Sequence, residues 1–244
     1  MKKIAYKEMF ENEMIHGWYL GTREMMINTI IKYLPKKAKI LDAGCGTGGT
    51  IKYLHKVGYK NITGIDISPE AIAFCKRRGL TKIKIGSVNN LRFNDRVFDA
   101  ILCLDVLYHS GVNPKKATNE FCRVLKKGGL LYLQEPSYEW LKSNHDKAIQ
   151  TRSRFTRRQL ESYLQFSGFK VLKCSYFNTI FFLPMMLKRL LEKVIPQNNT
   201  SDVQPLPALA NTLLAKTLHV EHKLLDNFNL PFGLSIVCVA QKTS

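Results

Sequence analysis

Apolar and polar positions alternate along this chain in two rhythms, one helical and one strand-like, and the two take turns. Residues 22–34 place Met26, Ile27, Ile30, Ile31 and Leu34 at helical spacing. A short apolar run follows, ending at Ile40-Leu41, as a buried strand does. Residues 47–57 carry Ile51, Leu54 and Val57 on one face and stop at Gly58. The same alternation continues with a strand over 61–66. A helix then opens on Ser68-Pro69-Glu70, with Ser68 as N-cap and Pro69 in the first turn, and stops at Gly79. Strands are expected at 82–85, 98–104, 130–134, 169–176 and 234–241, and helices at 114–125 and 156–166. Thr156 and Gln159 stand at capping-box spacing. Strands that alternate with helices predict an α/β fold: a Rossmann-like, mostly parallel seven-stranded sheet with helices on both faces.

The alternation lapses between 178 and 232. This stretch holds a Met/Leu-rich helix (185–195), a polar run (197–204) and an apolar helix (208–225). It reads as a helical cap inserted into the sheet domain. The expected division is therefore 1–177 plus 233–244 as the sheet domain, with 1–35 as an N-terminal helical lid, and 178–232 as the cap.

Between the first strand and the next helix stands Asp42-Ala-Gly-Cys-Gly-Thr-Gly-Gly-Thr50. Gly44, Gly46 and Gly48 strip the side chains from a tight turn, and a helix N-terminus follows, so backbone can approach a nucleotide-like ligand closely. Asp66 ends the second strand, where a carboxylate can accept hydrogen bonds from a ribose diol. Gly44, Gly46 and Gly49 also satisfy G-x-G-x-x-G, so a nicotinamide dehydrogenase is one alternative. Asp42 weighs against it, because an anion at the strand tip repels a pyrophosphate.

Asp42, Gly44, Gly46 and Gly48 fill motif I (Asp-x-Gly-x-Gly-x-Gly) of the class I S-adenosylmethionine (SAM) methyltransferases, which this chain resembles through most of its length. The run from Phe98 to His109 resembles the family's motif IV, and Val124-Leu-Lys-Lys-Gly-Gly129 its turn before strand five. At Gly86-Ser87-Val88 the family commonly has Gly-Asp-Ala, so Ser87 replaces the acid that contacts the adenine amine. A narrower likeness, to the type 11-like methyltransferases, rests on four blocks. These are His16-Gly-Trp18-Tyr19-Leu-Gly-Thr-Arg23, then Trp140 with His145-Asp146, then Arg152-Ser-Arg154-Phe-Thr156, and finally Asn229 to Gly233.

The resemblance implies SAM as cofactor and S-adenosylhomocysteine as product. It implies Asp42, Gly44, Cys45, Gly46, Gly48, Asp66, Ile67, Ser87, Val88 and Leu104 as cofactor-binding residues, with Arg23 reaching the cofactor's carboxylate. Methyl transfer needs alignment and exclusion of water rather than a metal, and a general base only for some acceptors. The candidate bases are His109, His145 (with Asp146 to orient it) and Glu135, which, if buried, should meet a cation or a polar substrate group. Trp18, Tyr19 and Tyr138 are candidates to line the acceptor pocket. Arg152 and Arg154 are candidates to bind an anionic group on the acceptor.

Composition adjusts this picture at three points. The net charge is +18, from 37 basic and 19 acidic residues, and residues 141–195 alone hold 11 Lys/Arg against 3 Asp/Glu. Such a surface suits an acidic small or lipid-linked acceptor, an anionic membrane surface or, as an alternative, RNA. The six cysteines form no C-x-x-C pair, which fits reduced core cysteines and no metal site. The N-terminus lacks a signal-peptide core, and the greasy stretch 177–187 is shorter than the roughly 20 residues of a membrane span, so a cytoplasmic protein, peripheral to the membrane at most, is expected. Besides RNA methylation, a non-catalytic scaffold built on the same fold is the remaining alternative.

Overall fold

The computed structural model describes residues 3–143, 146, 150–194 and 206–243. Helices α1 (Lys3–Asn12) and α2 (Gly17–Ile30) precede β1 (Ile40–Ala43), α3 (Gly49–Lys56), β2 (Ile62–Asp66), α4 (Pro69–Arg77) and β3 (Ile83–Ile85). Then come β4 (Phe98–Leu104), α5 (Pro114–Val124), β5 (Leu125–Pro136), a 3-10 turn (Glu139–Leu141), α6 (Arg157–Phe166) and β6 (Phe169–Phe177). The chain closes with α7 (Phe182–Val194), α8 (Ala208–Asn227) and β7 (Ser235–Lys242).

The seven strands form one sheet in the order β3-β2-β1-β4-β5-β7-β6. The first five are parallel, and β7 runs antiparallel to both β5 and β6. The expected sheet is thus present, and the strand order reverses at β1/β4, the place where open α/β sheets bind ligands. A core lies on each face. On one, Phe98, Ile101, Phe121, Leu131 and Leu164 pack under α5 and α6. On the other, Met26, Ile30, Ile40, Leu54, Tyr132 and Leu218 pack under α2, α3 and α8.

Local chemistry sets the helix starts as the sequence implies. Ser68 accepts from the Ala71 amide, and Thr156 and Gln159 form the reciprocal capping box. Two boundaries differ by five residues. The first core helix begins at Gly17 rather than 22, because the His16 ring accepts from the Trp18 amide and caps it there. Gly128 and Gly129 lie within β5 rather than ahead of it; Gly128 takes φ +74, a conformation glycine adopts without penalty.

The cysteine expectation needs one correction. Cys174 and Cys238 sit directly opposite each other on β6 and β7, with Cα atoms 4.1 Å apart, and are joined as a disulfide. Cross-strand register, which cysteine spacing along the chain does not reveal, brings them together. Cys45, Cys75, Cys103 and Cys122 are free. Among the described residues no helix is long and apolar enough to cross a membrane, and no cluster of metal-ligating side chains occurs.

Candidate functional site

The site is built on the turn after β1. All four residues of β1 are buried, which pins the strand tip at the middle of the sheet. The amides of Gly44 and Cys45 both donate to the Ile65 carbonyl at 2.8 Å, tying the turn to β2. Gly44 has φ +88, and a Cβ there would stand 2.4 Å from Cγ2 of Val106. Gly48 has φ +86, and a Cβ there would stand 2.5 Å from Cδ1 of Leu80. The bare backbone is therefore required by both conformation and space.

Two carboxylates flank the turn. Asp66 accepts from the Gly46 amide (2.9 Å) and the Ser68 amide (2.9 Å), so it braces the turn from the tip of β2. Burial raises its pKa, partly offset by those two amides; the Tyr6 hydroxyl also bonds to it. Asp42 is buried, and its Oδ2 has no hydrogen-bond partner. Burial pushes its carboxyl up to about 7; Arg23 opposes this, while Glu13 and Asp66 reinforce it. A buried carboxylate oxygen without a donor is costly, and a bound proton or a cationic amine relieves it. Bare turn, orphaned acid and bracing acid together fit an S-adenosyl ligand. Ile67, next to Asp66, leaves 67% of its surface open. Val88 is buried in the core, and the Ser87 hydroxyl accepts from the Asn89 amide (3.2 Å). Leu104 ends β4 at the same edge, and Cys45 packs in the core against Cys75, their sulfurs 4.0 Å apart.

Sequence reasoning missed Glu13. Its buried carboxylate accepts from the Thr47 hydroxyl, from the Gly49 amide (3.1 Å) and from Arg78 Nη2 (2.9 Å), and forms an ion pair with Arg23. It thus fills the N-terminus of α3, a position that favours an anion. Arg23, expected at the cofactor's carboxylate, instead pairs with Glu13 and donates to its backbone carbonyl. Helix α1 lies over the turn: Met9 Sδ would be 3.0 Å from a Cβ on Gly46, and Phe10 packs against Phe74 with centroids 4.8 Å apart.

Glu135 requires a correction. Its buried carboxylate meets neither a cation nor open space. It accepts from the amides of Val106 (3.1 Å), Leu107 (2.7 Å) and Tyr108 (3.2 Å), and so anchors the segment after β4. Burial first, then the neighbouring Asp105, raise its pKa; the three amides offset them in part. Asp105 was likewise not singled out. It has φ +56, accepts from Gln134 Nε2 at 2.9 Å, and is raised to about 6 by burial. A non-glycine residue in that conformation at the edge of the sheet is a common mark of a functional position.

The remaining candidates fall around this edge. His109 is half-buried, with its ring 4.2 Å from that of Tyr108 and its backbone bridged to Thr151. His145 lies outside the described residues. Asp146 is turned to Arg154, whose Nε and Nη2 bind its two oxygens at 2.8 and 3.0 Å. Burial alone would raise Asp146, but the Arg154 hydrogen bonds hold it below the usual carboxylate range. Arg154 is therefore buried and neutralised, whereas Arg152 is exposed. Trp18 stacks on Phe177 (5.8 Å, 9°), and the Tyr19 ring lies under the Arg23 guanidinium (5.4 Å). Tyr138 stacks on Tyr176 (5.0 Å, 14°).

A family model described as a methyltransferase domain matches residues 41–133, the segment from β1 to β5 that carries this turn. The segment 41–133 is thus similar to a methyltransferase domain, and the seven-stranded sheet around it has the Rossmann-like fold. Over 128 residues it is 30% identical to the tRNA (carboxymethyluridine(34)-5-O)-methyltransferase of Arabidopsis thaliana, covering 52% of this chain and 30% of that protein. Over 127 residues it is 34% identical to a fatty-acid O-methyltransferase of Mycolicibacterium smegmatis, covering 47% and 45%. The chain thus spans less than half the length of these relatives. Among solved structures, an SAM-dependent methyltransferase from Methanosarcina mazei superposes with a TM-score of 0.58 at 22% identity, over 88% of this chain and 97% of that one. A geranyl diphosphate methyltransferase in complex with GPP and sinefungin gives 0.60 at 14%, over 91% and 77%. At these identities the superpositions speak to fold alone.

Proposed function

We propose that this protein transfers a methyl group from SAM to a small or lipid- or saccharide-linked acceptor bearing an anionic group. The observation that carries the reading is the orphaned Asp42 oxygen beside a side-chain-free turn, within a segment that matches a methyltransferase domain. SAM, when bound, supplies an electrophilic methyl on a sulfonium. Asp42 takes the cofactor's amine, and Asp66 accepts from its ribose hydroxyls in place of Tyr6. Ile67, Ser87, Val88 and Leu104 bound the adenosine side. Cys45 keeps the turn narrow through its packing.

On the acceptor side, Trp18, Tyr19 and Tyr138 form the pocket wall, and residues 178–232 act as its cap, with 1–35 as lid. Contact with an anionic group falls to Arg152, since Arg154 is satisfied by Asp146. His109 is the base where one is needed, and Glu135 holds the backbone beneath it. The protein acts in the cytoplasm, at the membrane surface when its acceptor is lipid-linked. Titration calorimetry with SAM and S-adenosylhomocysteine, followed by incubation with radiolabelled SAM and a host metabolite extract, tests the reading. SAM binding without label transfer to any acceptor would instead favour a scaffold.

RNA methylation is the second reading, favoured by the +18 charge and the Arabidopsis relative. A groove at the opposite edge of the sheet, lined by Lys37, Lys39, Lys126 and Lys127, adds basic surface there. Steep salt dependence of binding to mixed RNA supports this reading, and no RNA binding at low salt removes it.

A further inference from the structure

Three buried polar atoms that lack a hydrogen-bond partner among the described residues fall on one face of the sheet: Oδ2 of Asp42, the Tyr132 hydroxyl and Oε1 of Gln134. Strand register brings them together. Asp42 lies opposite Leu102, and Leu102 opposite Tyr132, so one row across β1, β4 and β5 carries two of them. Gln134, opposite Leu104, stands one row nearer the carboxyl edge. Residues two apart on a strand share a face, and Ile40, Leu102 and Tyr132 pack on the face that α2 covers. Tyr132 and Gln134 leave 0% and 2% of their surfaces open. Polar atoms buried this far are costly unless a ligand pairs them.

Asp105 completes the patch. Its backbone leaves β4 at φ +56, its amide donates to the Gln134 carbonyl at 2.8 Å, and its Oδ2 accepts from Gln134 Nε2 at 2.9 Å. After burial, the Asp105 charge raises the Tyr132 hydroxyl, and at Tyr19 on α2 it adds to burial and Glu13. Leu104 and Asp105 are half-buried between buried neighbours, so the sheet edge opens at this point. With Nε2 committed to Asp105, Gln134 can only accept, and the Asp105 carboxylate accepts too. A ligand group held between them must therefore donate, as a hydroxyl or an amine does. A carboxylate would meet the Asp105 charge. Asp42 goes to the cofactor's amine, which leaves Asp105, Gln134 and Tyr132 for the acceptor. We propose that Asp105 and Gln134 seat the acceptor's nucleophile, an O–H or N–H group, so that the product is a methyl ether or a methylamine and not a methyl ester. This seat rests on the methyltransferase reading and adds to it the chemistry of the nucleophile. The lone pair on that oxygen or nitrogen forms the bond to the methyl carbon as the carbon–sulfur pair returns to sulfur. Asp105 rather than His109 then takes a hydroxyl's proton along their hydrogen bond; an amine keeps its protons as a methylammonium.

Two variants of the whole protein test it. Asp105→Asn keeps a residue that tolerates the left-handed backbone and puts a donor where the nucleophile needs an acceptor. Tyr132→Phe removes a single hydroxyl. Both are compared with the wild type by calorimetry with S-adenosylhomocysteine, by thermal melts, and by label transfer from methyl-labelled SAM to a host metabolite extract. The expected result is unchanged S-adenosylhomocysteine affinity in both, a Tyr132→Phe midpoint at or above that of the wild type, and label transfer by Asp105→Asn lowered at least about tenfold. The wild-type product should keep its label in mild alkali. Radioactive methanol released by alkali, the mark of a methyl ester, would overturn the proposal. So would full transfer by a folded Asp105→Asn protein, or a lowered Tyr132→Phe midpoint, which would show that its hydroxyl is bonded within the fold. A wild type that binds no S-adenosylhomocysteine, or binds it and labels no acceptor, would overturn the methyltransferase reading itself and the seat with it.

Discussion

Glu13 and Arg23 form a buried ion pair over the glycine turn, each with less than 5% of its side chain exposed. The pair joins the loop between α1 and α2 to the start of α3, because Glu13 also takes the Thr47 hydroxyl and the Gly49 amide. No sequence motif announces this arrangement. Its parts are 10, 34 and 36 residues apart, and only the fold brings them together.

Removing one partner of a buried pair costs more than the pair contributes, because it strands the other charge. Glu13→Gln leaves Arg23 and Arg78 without their carboxylate. We expect a loss of about 3 kcal/mol in urea unfolding. The double variant Glu13→Gln with Arg23→Met should recover part of that loss, and a purely additive double variant would show that the two residues are not coupled.

The turn glycines should separate folding from binding. Gly46 has φ +53, and a Cβ there meets only the flexible end of Met9. Gly46→Ala should cost about 1 kcal/mol in stability yet weaken SAM binding at least about tenfold by filling the turn. Gly44→Val meets the fixed Val106 and should cost several-fold more stability. Thermal melts beside calorimetry check both.

Asp42 sets a pH dependence. Its carboxyl stands at about 7 in the fold against the ordinary 3.8. The native state therefore holds a proton that the unfolded chain has released, and stability falls as pH rises from about 4 to 7. Asp42→Asn should flatten that slope, leaving the variant more stable than the wild type at pH 8. An amine bound to Asp42 expels the proton, so SAM binding at pH 6 should release protons, seen as a dependence of the binding enthalpy on buffer ionisation heat. The release should vanish at pH 8.

Glu135 should behave as a structural anchor. Glu135→Ala orphans three buried amides and is expected to cost about 3 kcal/mol or more. Glu135→Gln retains one acceptor oxygen and should cost less. A Glu135→Gln variant that keeps its stability but loses methyl transfer would restore the residue as a base.

Much of the frame was legible in the sequence because it rests on local signals. The β1–turn–α3 unit follows from an apolar run, glycines that need left-handed backbone, and a helix start. The caps at Ser68 and Thr156 follow from side chains that bond within three residues. What escaped depends on distant partners. The amides that satisfy Glu135 lie 27 to 29 residues upstream. Arg154 and Asp146 were assigned to a ligand and to His145, yet they satisfy each other. Cys174 and Cys238 meet only through strand register. Asp105, with its left-handed backbone, sits in a stretch whose apolar neighbours read as a plain buried strand.

The central claim is that the turn between Asp42 and Gly48 holds an S-adenosyl ligand under the guard of Asp66. Isothermal titration of the purified chain with S-adenosylhomocysteine, run beside Asp66→Ala, addresses it most directly. Saturable one-to-one binding by the wild type, lost or weakened at least about a hundredfold in a folded Asp66→Ala protein, is the predicted result. No heat of binding from a folded wild type, or equal affinity in the variant, would contradict the account.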